Sequence, residues 1–152
     1  GLSAPLASEI RVGLAVVRMD DGKANAFSFA LLDALGAALL CAADLRIGAA
    51  GPYKIGLNEV AIGLALPAFA SELARARLSP RHLQRATALA EVFDAAGAVE
   101  AGFLDRTVPA DRLEAAVIEA AAALATLPAK AHALTKRGLR AATLEALRAS
   151  LP

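Results

Sequence analysis

The stretch GPYKIGLNEVAIGLALP, residues Gly51–Pro67, sets one carboxylate, Glu59, among aliphatic side chains and glycines. A carboxylate in apolar surroundings is costly unless it is paired, neutralised or hydrated. Glu59 is therefore either a solvated loop residue, the commoner case for an acid, or a group retained for chemistry. The chain on both sides of this stretch decides between the two interpretations.

Upstream, the sequence predicts strands and one helix. Ile10–Met19 is rich in valine and predicts one buried strand, and the Asp-Gly pair within Asp20–Asn25 predicts a turn after it. Leucines recur at helical spacing after Ser28, which can cap a helix that runs to Cys41. A short strand is predicted at Leu45–Gly48. This half of the chain is typical of an α/β protein.

Downstream, the pattern becomes helical. Four helices are predicted, and their starts lie at Ser79-Pro80, Asp94, Pro109-Ala110-Asp111 and Pro128. The first is expected to reach Glu91, and the second to end at Gly102. The last is predicted to run unbroken to Ala149. Together the two halves indicate an α+β or layered α/β fold with a helical C-terminal extension.

Composition argues against several classes of function. The 16 Lys and Arg nearly balance the 15 Asp and Glu, and no basic run alternates with aromatic residues, so nucleic acid is not an expected partner. Hydrophobic residues make up 57%, yet acidic residues interrupt every apolar run before it reaches about 18 residues, so no membrane span is expected. Without a recognisable export signal, we expect a cytoplasmic protein. The single Cys41 has no internal disulfide partner and is expected to be buried.

Three segments resemble, in this order, segments of the crotonase superfamily, the enoyl-CoA hydratases and isomerases. They are MDDGKANAFS (Met19–Ser28), AADLRIGAAGPYKIGLNEVAIGLALP (Ala42–Pro67) and AGFLDRTVPADRLEAA (Ala101–Ala116). HALTKRGLRAA (His132–Ala142) is similar to the closing helix of that family. The resemblance implies an α/β fold, a crotonase-like spiral of strand-strand-helix units. It implies a partial core at residues 1–77 and a helical region for packing and oligomerisation at residues 78–152.

The same resemblance implies an enzyme that acts on acyl-CoA thioesters. Members of the family stabilise an enolate of the thioester with two backbone N–H groups, the oxyanion hole, while carboxylates move protons. The reaction implied first is hydration of an enoyl-CoA, a lyase reaction of fatty acid metabolism. The alternative is isomerisation of the double bond, which needs one proton-carrying carboxylate and no water. No cofactor or metal is implied, since the coenzyme A thioester is the substrate. The implied assembly is a homo-oligomer, a trimer or a dimer of trimers.

Glu59 is the catalytic residue that the resemblance implies. It matches the position of one of the two catalytic glutamates of the family's hydratases, so it would protonate the α-carbon or help to activate the water. Asn58 beside it is polar enough to orient that carboxyl group or the water. A turn residue is an equally good explanation of Asn58.

Five further residues are implied to contact the substrate. Lys23, Ala24, Asn25 and Ala26 resemble the family segment that runs beside the CoA nucleotide and pantetheine, although an ordinary polar turn explains them equally well. Lys136 matches a region where the family often places a basic residue near the CoA phosphates. A solvated helix lysine is the alternative for that position.

The remaining polar residues predict no metal site. His82 and His132 lack metal-ligand spacing with any other histidine, cysteine or acidic cluster, so we expect both on the surface. Asp44 is expected to end a helix or to pair with a nearby arginine such as Arg46.

The family pattern is interrupted between Leu40 and Cys41. Family members have several further elements there, which supply the oxyanion-hole N–H groups and, in many hydratases, the other glutamate. Either the natural polypeptide contains a stretch that this sequence lacks, and is an ordinary acyl-CoA enzyme, or the deletion is genuine. A genuine deletion predicts a non-catalytic protein that keeps its helical assembly surface, because a lone carboxylate does not replace the missing donors.

Overall fold

The computed structural model describes residues 6–11, 14–19, 37–38 and 40–150. The strands are β1 (Leu6–Arg11), β2 (Leu14–Met19), β3 (Ile47–Ala50), β4 (Ile55–Gly56), β5 (Val92–Phe93) and β6 (Arg106–Pro109). The α-helices are α1 (Ala68–Arg77), α2 (Pro80–Ala86), α3 (Ala95–Ala101), α4 (Leu113–Ala125), α5 (Ala129–Leu139) and α6 (Ala141–Ser150). Residues 37–38 and 40–42 are also helical, and 3-10 turns occupy Glu59–Ile62 and Ala110–Arg112.

The N-terminal strands form a hairpin. The prediction of one strand at Ile10–Met19 is wrong, because β1 and β2 pair antiparallel from Leu6 with Met19 to Arg11 with Leu14. Ser8 and Glu9 interrupt the apolar pattern of β1 in the sequence, which is why that strand was not predicted. The turn predicted after β2 and most of the helix predicted after it lie outside the described residues.

A parallel strand pair joins distant parts of the chain. β3 pairs with β6 from Ile47 with Arg106 to Ala50 with Pro109. The chain between them, from β4 to α3, is the crossover that parallel pairing requires. The short strand was predicted two residues too early, since Leu45 lies in a bend and is 40% exposed.

Arg46 and Asp105 lie where these two strands begin. The Arg46 side chain is 6% exposed, and its Nη2 and Nε donate to the two carboxylate oxygens of Asp105 at 2.7 and 3.1 Å. Its backbone N–H donates to Asp105 at 2.7 Å, and the Asp105 N–H donates back to the Arg46 carbonyl at 2.9 Å. Nη1 also donates to the Gly102 carbonyl. The prediction that Asp44 pairs with Arg46 is therefore wrong, because the Arg46 side chain donates its hydrogen bonds to Asp105 and Gly102 instead.

The core is small and rich in alanine. Its largest fully buried side chains are Phe103 and Leu57, which belong to one cluster with residues of α1, α2 and α3. Cys41 is 2% exposed, as predicted, and burial raises the pKa of its thiol to about 11. Gly102 ends α3 with φ of 96°, and a Cβ there would lie 2.8 Å from the Arg77 carbonyl oxygen, so the close approach of α1 requires glycine.

Two of the predicted helices differ in length. α2 starts at Ser79-Pro80 as predicted but ends at Ala86 instead of Glu91. The predicted long C-terminal helix is broken at Arg140 into α5 and α6, two residues after Gly138, which weakens helix propagation. Among the described residues no single helix is long and apolar enough to cross a membrane. The consecutive stretches 110–125 and 129–139 reach that length only together, bent by 101°.

Replacing Asp105 by Asn tests the pair that joins β3 to β6. We expect Asp105→Asn to lower the free energy of unfolding by about 2–3 kcal/mol, because it leaves the buried Arg46 guanidinium without its counter-charge. Glu91→Gln is the matched control. Its partner Arg85 lies 2.5 Å away in a more exposed pair, so we expect a loss below about 1 kcal/mol. If urea denaturation showed that both variants lose the same free energy of unfolding, the pair of Arg46 with Asp105 would not have the importance assigned to it.

Candidate functional site

Glu59 lies on a short loop that joins β4 to α1. Strand β4 pairs with β5, and the next residue, Leu57, is 1% exposed and anchors the loop in the core. Asn58 then precedes the 3-10 turn that begins with Glu59, and Gly63 ends that turn with φ of 79°. The Leu64 N–H donates to the Glu59 carbonyl at 2.9 Å and closes the turn. The backbone at Glu59 is therefore held on both sides.

The Glu59 side chain is buried. It is 4% exposed and is the one buried carboxylate among the residues that the structure describes. Its Oε2 has no hydrogen-bond partner, and neither has Oδ1 of Asn58. The interpretation of Glu59 as a solvated loop residue is therefore wrong. A buried oxygen without a donor is costly, and such groups require an explanation in chemistry, water or a ligand.

The aliphatic neighbours of Glu59 in sequence do not bury it. Val60, Ile62 and Leu64 are 45%, 49% and 52% exposed. The loop therefore presents an apolar outer surface next to a buried acid. Exposed aliphatic side chains grouped on one loop are typical of a surface that contacts an apolar ligand or a partner.

Lys136 belongs to a different cluster of charges, centred on Asp44. Its Nζ lies 2.5 Å from Asp44 Oδ2, while Arg140 Nη2 lies 3.0 Å from Oδ1 and His132 Nε2 lies 3.9 Å from Oδ2. The helix at residues 40–42 ends just before Asp44, as predicted. No residue of the Glu59 loop belongs to this cluster, so the structure does not bring Lys136 and Glu59 together.

Two arginines cap the helix that ends at residue 42. Arg77 Nε donates to the Cys41 carbonyl at 2.8 Å, and Arg140 Nη1 donates to the Ala42 carbonyl at 2.9 Å. Cations at this end of a helix satisfy its free carbonyls and complement its dipole. Sequence reasoning missed both roles, since the partners are 36 and 98 residues apart.

A cavity of about 730 Å³ lies beside the Asp44 cluster. Its walls include Leu73 of α1, Leu124 of α4 and Leu144 of α6, and the Asp44 cluster lines one side. The polar groups of that cluster are paired with one another or with the backbone.

His82 is not a surface residue. It is 7% exposed, its Nδ1 lies 2.8 Å from Ser79 Oγ, and its ring meets that of Phe93 edge-on at 6.0 Å. The prediction failed because the position of His82 on α2 faces β5, a contact that the sequence does not reveal. His132 is exposed as predicted, with 41% of its side chain accessible. In the described part of the chain no three side chains are grouped as a metal site.

The remaining predicted substrate contacts lie outside the described residues. They are Lys23, Ala24, Asn25 and Ala26. Their assignment to the CoA nucleotide and pantetheine stays a prediction.

Residues 33–151 match the family described as enoyl-CoA hydratase/isomerase. The chain belongs to this family. It is 34% identical over 111 residues to the human mitochondrial enoyl-CoA delta isomerase 1, a match that covers 72% of the chain and 36% of that protein. The chain therefore spans little more than a third of the length of this curated relative.

Two solved structures resemble the fold. An enoyl-CoA hydratase/isomerase family protein from Pseudomonas syringae is 45% identical, with a TM-score of 0.74 over 76% of this chain and 50% of that one. An enoyl-CoA hydratase from Mycobacterium marinum is 27% identical, with a TM-score of 0.81 over 97% of this chain and 96% of that one. The predicted crotonase-like α/β fold with a helical C-terminal region is confirmed. In the described residues its strands form three separate two-stranded sheets.

At acid pH we expect two sets of ion pairs to weaken, those of Asp44 with the C-terminal helices and that of Asp105 with Arg46 where β3 and β6 begin. Burial alone would raise the pKa values of Asp44 and Asp105, but the hydrogen bonds and charges of Lys136 and Arg46, respectively, outweigh it and hold both pKa values below the ordinary range. A depressed folded-state pKa adds stability above the unfolded value of about 3.9, and this stability is lost as the pH falls through the folded-state pKa.

We therefore expect the urea midpoint to fall as the pH is lowered below about 5, with the steepest loss under the ordinary aspartate pKa. The double variant Asp44→Asn with Asp105→Asn should be less stable at neutral pH and should show a shallower acid dependence. An unchanged slope in the double variant would contradict the assignment.

Proposed function

We propose that the chain carries the proton-transfer site of an enoyl-CoA isomerase, with Glu59 as the group that moves the proton. The observation that supports this most is the buried Glu59 carboxyl with an Oε2 that accepts no hydrogen bond. A carboxylate oxygen without a donor has its lone pairs available to take a proton from a substrate carbon.

The chemistry of isomerisation needs one such group. Glu59 takes a proton from C2 of a 3-enoyl thioester, so the C2–H bond breaks and its electron pair enters a dienolate that extends to the thioester oxygen. The same carboxyl then returns the proton to C4, which forms the C4–H bond and leaves the double bond between C2 and C3. No water enters this reaction. In the described residues Glu59 is the one buried carboxylate, which fits a single carrier.

The apolar outer surface of the loop fits the rest of such a substrate. Val60, Ile62 and Leu64 expose aliphatic side chains on the same loop as the acid, and burying them against an acyl chain would contribute about 25 cal/mol for each Å² of apolar area removed from water. The similarity of the chain to the human enoyl-CoA delta isomerase 1 supports the same reaction.

Hydration of a 2-enoyl thioester is the second candidate. The Mycobacterium marinum protein with the same fold is an enoyl-CoA hydratase. Hydration needs a water molecule held against the acid, and the unpartnered Oδ1 of Asn58 beside Glu59 is the observation that favours it.

Both reactions require donors for the thioester oxygen. The family segments that carry those donors have no counterpart between Leu40 and Cys41. Trypsin cleavage after Lys23 and Arg46 releases the peptide of residues 24–46, which contains this junction. An intact mass above 15.4 kDa, together with the absence of the 24–46 peptide from the digest, places the missing segment there and supports the enzyme. A peptide of the mass expected for residues 24–46 favours the alternative, a non-catalytic protein that associates through its helical half.

The assembly surface is part of the same proposal. Three large aliphatic residues of the C-terminal helices, Ile118, Leu134 and Leu139, are 53%, 59% and 82% exposed. Side chains of this kind favour contact with a second subunit. A homo-oligomer, a trimer or a dimer of trimers, remains the expected state, and mass photometry would measure it.

Glu59→Gln tests the proposed role directly. We expect the conversion of 3-enoyl-CoA to 2-enoyl-CoA to fall by about 10²–10⁴-fold in kcat, because glutamine cannot carry the proton, while the affinity for the thioester stays within about threefold. The exposed Glu100, replaced by Gln, is the control and should keep full activity. Turnover of 2-enoyl-CoA alone would support hydration instead, and full activity of Glu59→Gln would remove Glu59 from the reaction.

A further inference from the structure

Two side-chain oxygens lack hydrogen bonds in the interior of the described chain, and they belong to consecutive residues. They are Asn58 Oδ1 and Glu59 Oε2, and each exposes less than 1 Å². The other buried polar side chains behave differently, since Arg46 donates to Asp105 and His82 interacts with Ser79. The two unpartnered oxygens thus belong to adjacent residues at the start of the same 3-10 turn.

The side chains of the 3-10 turn that follows them offer no donor to either oxygen. Residues 60–64 contain aliphatic side chains and glycine, with no side-chain N–H or O–H. Three backbone N–H groups of this turn already donate to the carbonyls of Asn58, Glu59 and Val60. A donor for the two side-chain oxygens therefore comes from outside the turn.

A water molecule is the donor that fits best. It has two O–H groups, one for each acceptor, and is small enough for a place closed to bulk solvent. A cationic donor is disfavoured because the outer face of the loop is aliphatic. Water held in this way keeps its own lone pairs free for attack on a carbon.

We propose that Asn58 is a positioning residue that enables hydration in addition to the isomerisation for which Glu59 transfers the proton. In this proposal, which rests on the proposed function, Oδ1 of Asn58 and Oε2 of Glu59 hold one water molecule. Asn58 thereby sets the share of hydration relative to isomerisation.

The hydration step balances with these two residues. One O–H bond of the water breaks, and its proton passes to Glu59 Oε2 while the water oxygen bonds to C3 of a 2-enoyl thioester. The electron pair of the C2=C3 bond moves into the thioester enolate. Glu59 then returns the proton to C2, so the product is a 3-hydroxyacyl thioester. The other hydrogen of the water, held by Asn58, remains in the product hydroxyl.

The test compares Asn58→Leu with Asn58→Asp. Leucine keeps the size and removes the acceptor, whereas aspartate keeps an oxygen in the same place. With 2-enoyl-CoA and 3-enoyl-CoA as substrates, we expect Asn58→Leu to lower the ratio of hydration to isomerisation at least about tenfold. We expect Asn58→Asp to retain that ratio within about threefold. An equal fall of both reactions in Asn58→Leu, or an unchanged ratio, would overturn the proposal.

A second measurement detects the bound water molecule directly and does not depend on enzyme turnover. In the wild-type protein we expect a nuclear Overhauser contact between the Asn58 side-chain amide protons and a long-lived water molecule. The absence of this contact would overturn the proposal even if Glu59 transfers protons. Loss of both reactions in Glu59→Gln with the water contact present in wild type supports both proposals. Full activity of Glu59→Gln would defeat both proposals, whereas loss of activity in Glu59→Gln with no water contact in wild type would defeat this one alone.

Discussion

The ion pair between Arg46 and Asp105 fixes the start of the one parallel strand pair in the described chain. Because β3 and β6 begin at this pair, the segment from β4 to α3 must close into a compact crossover. The loop that carries Glu59 belongs to that crossover. A loop held at both ends in this way can keep a carboxyl buried without a partner, since the rest of the structure supplies the stability that the unpaired oxygen costs.

Local signals predicted local structure well. Asp94 caps α3 by accepting the Gly97 N–H at 2.8 Å, and Gly102 ends it, as the residue types indicated. Contacts between distant residues could not be predicted. The pairing of β3 with β6 depends on residues that are far apart in the sequence, and the burial of His82 depends on the packing of α2 against Phe93 of β5. Periodicity carries no information about them.

The sequence predicted the position of the site but not the way in which Glu59 is buried. The aliphatic neighbours of Glu59 in the sequence predicted apolar surroundings, yet Val60, Ile62 and Leu64 are exposed, and other parts of the fold bury the acid. The family resemblance identified the position, and the structure adds the unpartnered oxygens of Asn58 and Glu59. Lys136 forms an ion pair with Asp44 in the described chain, and its contact with the CoA phosphates stays a prediction.

The central claim is that one buried carboxyl carries a proton between two carbons of the same substrate. A 3-enoyl-CoA with deuterium at C2 tests it most directly, with the product analysed by mass spectrometry and NMR. The account predicts that a measurable share of the 2-enoyl-CoA carries deuterium at C4, because Oε2 of Glu59 is closed to bulk solvent. Product formation in which every new hydrogen at C4 comes from the solvent would contradict it.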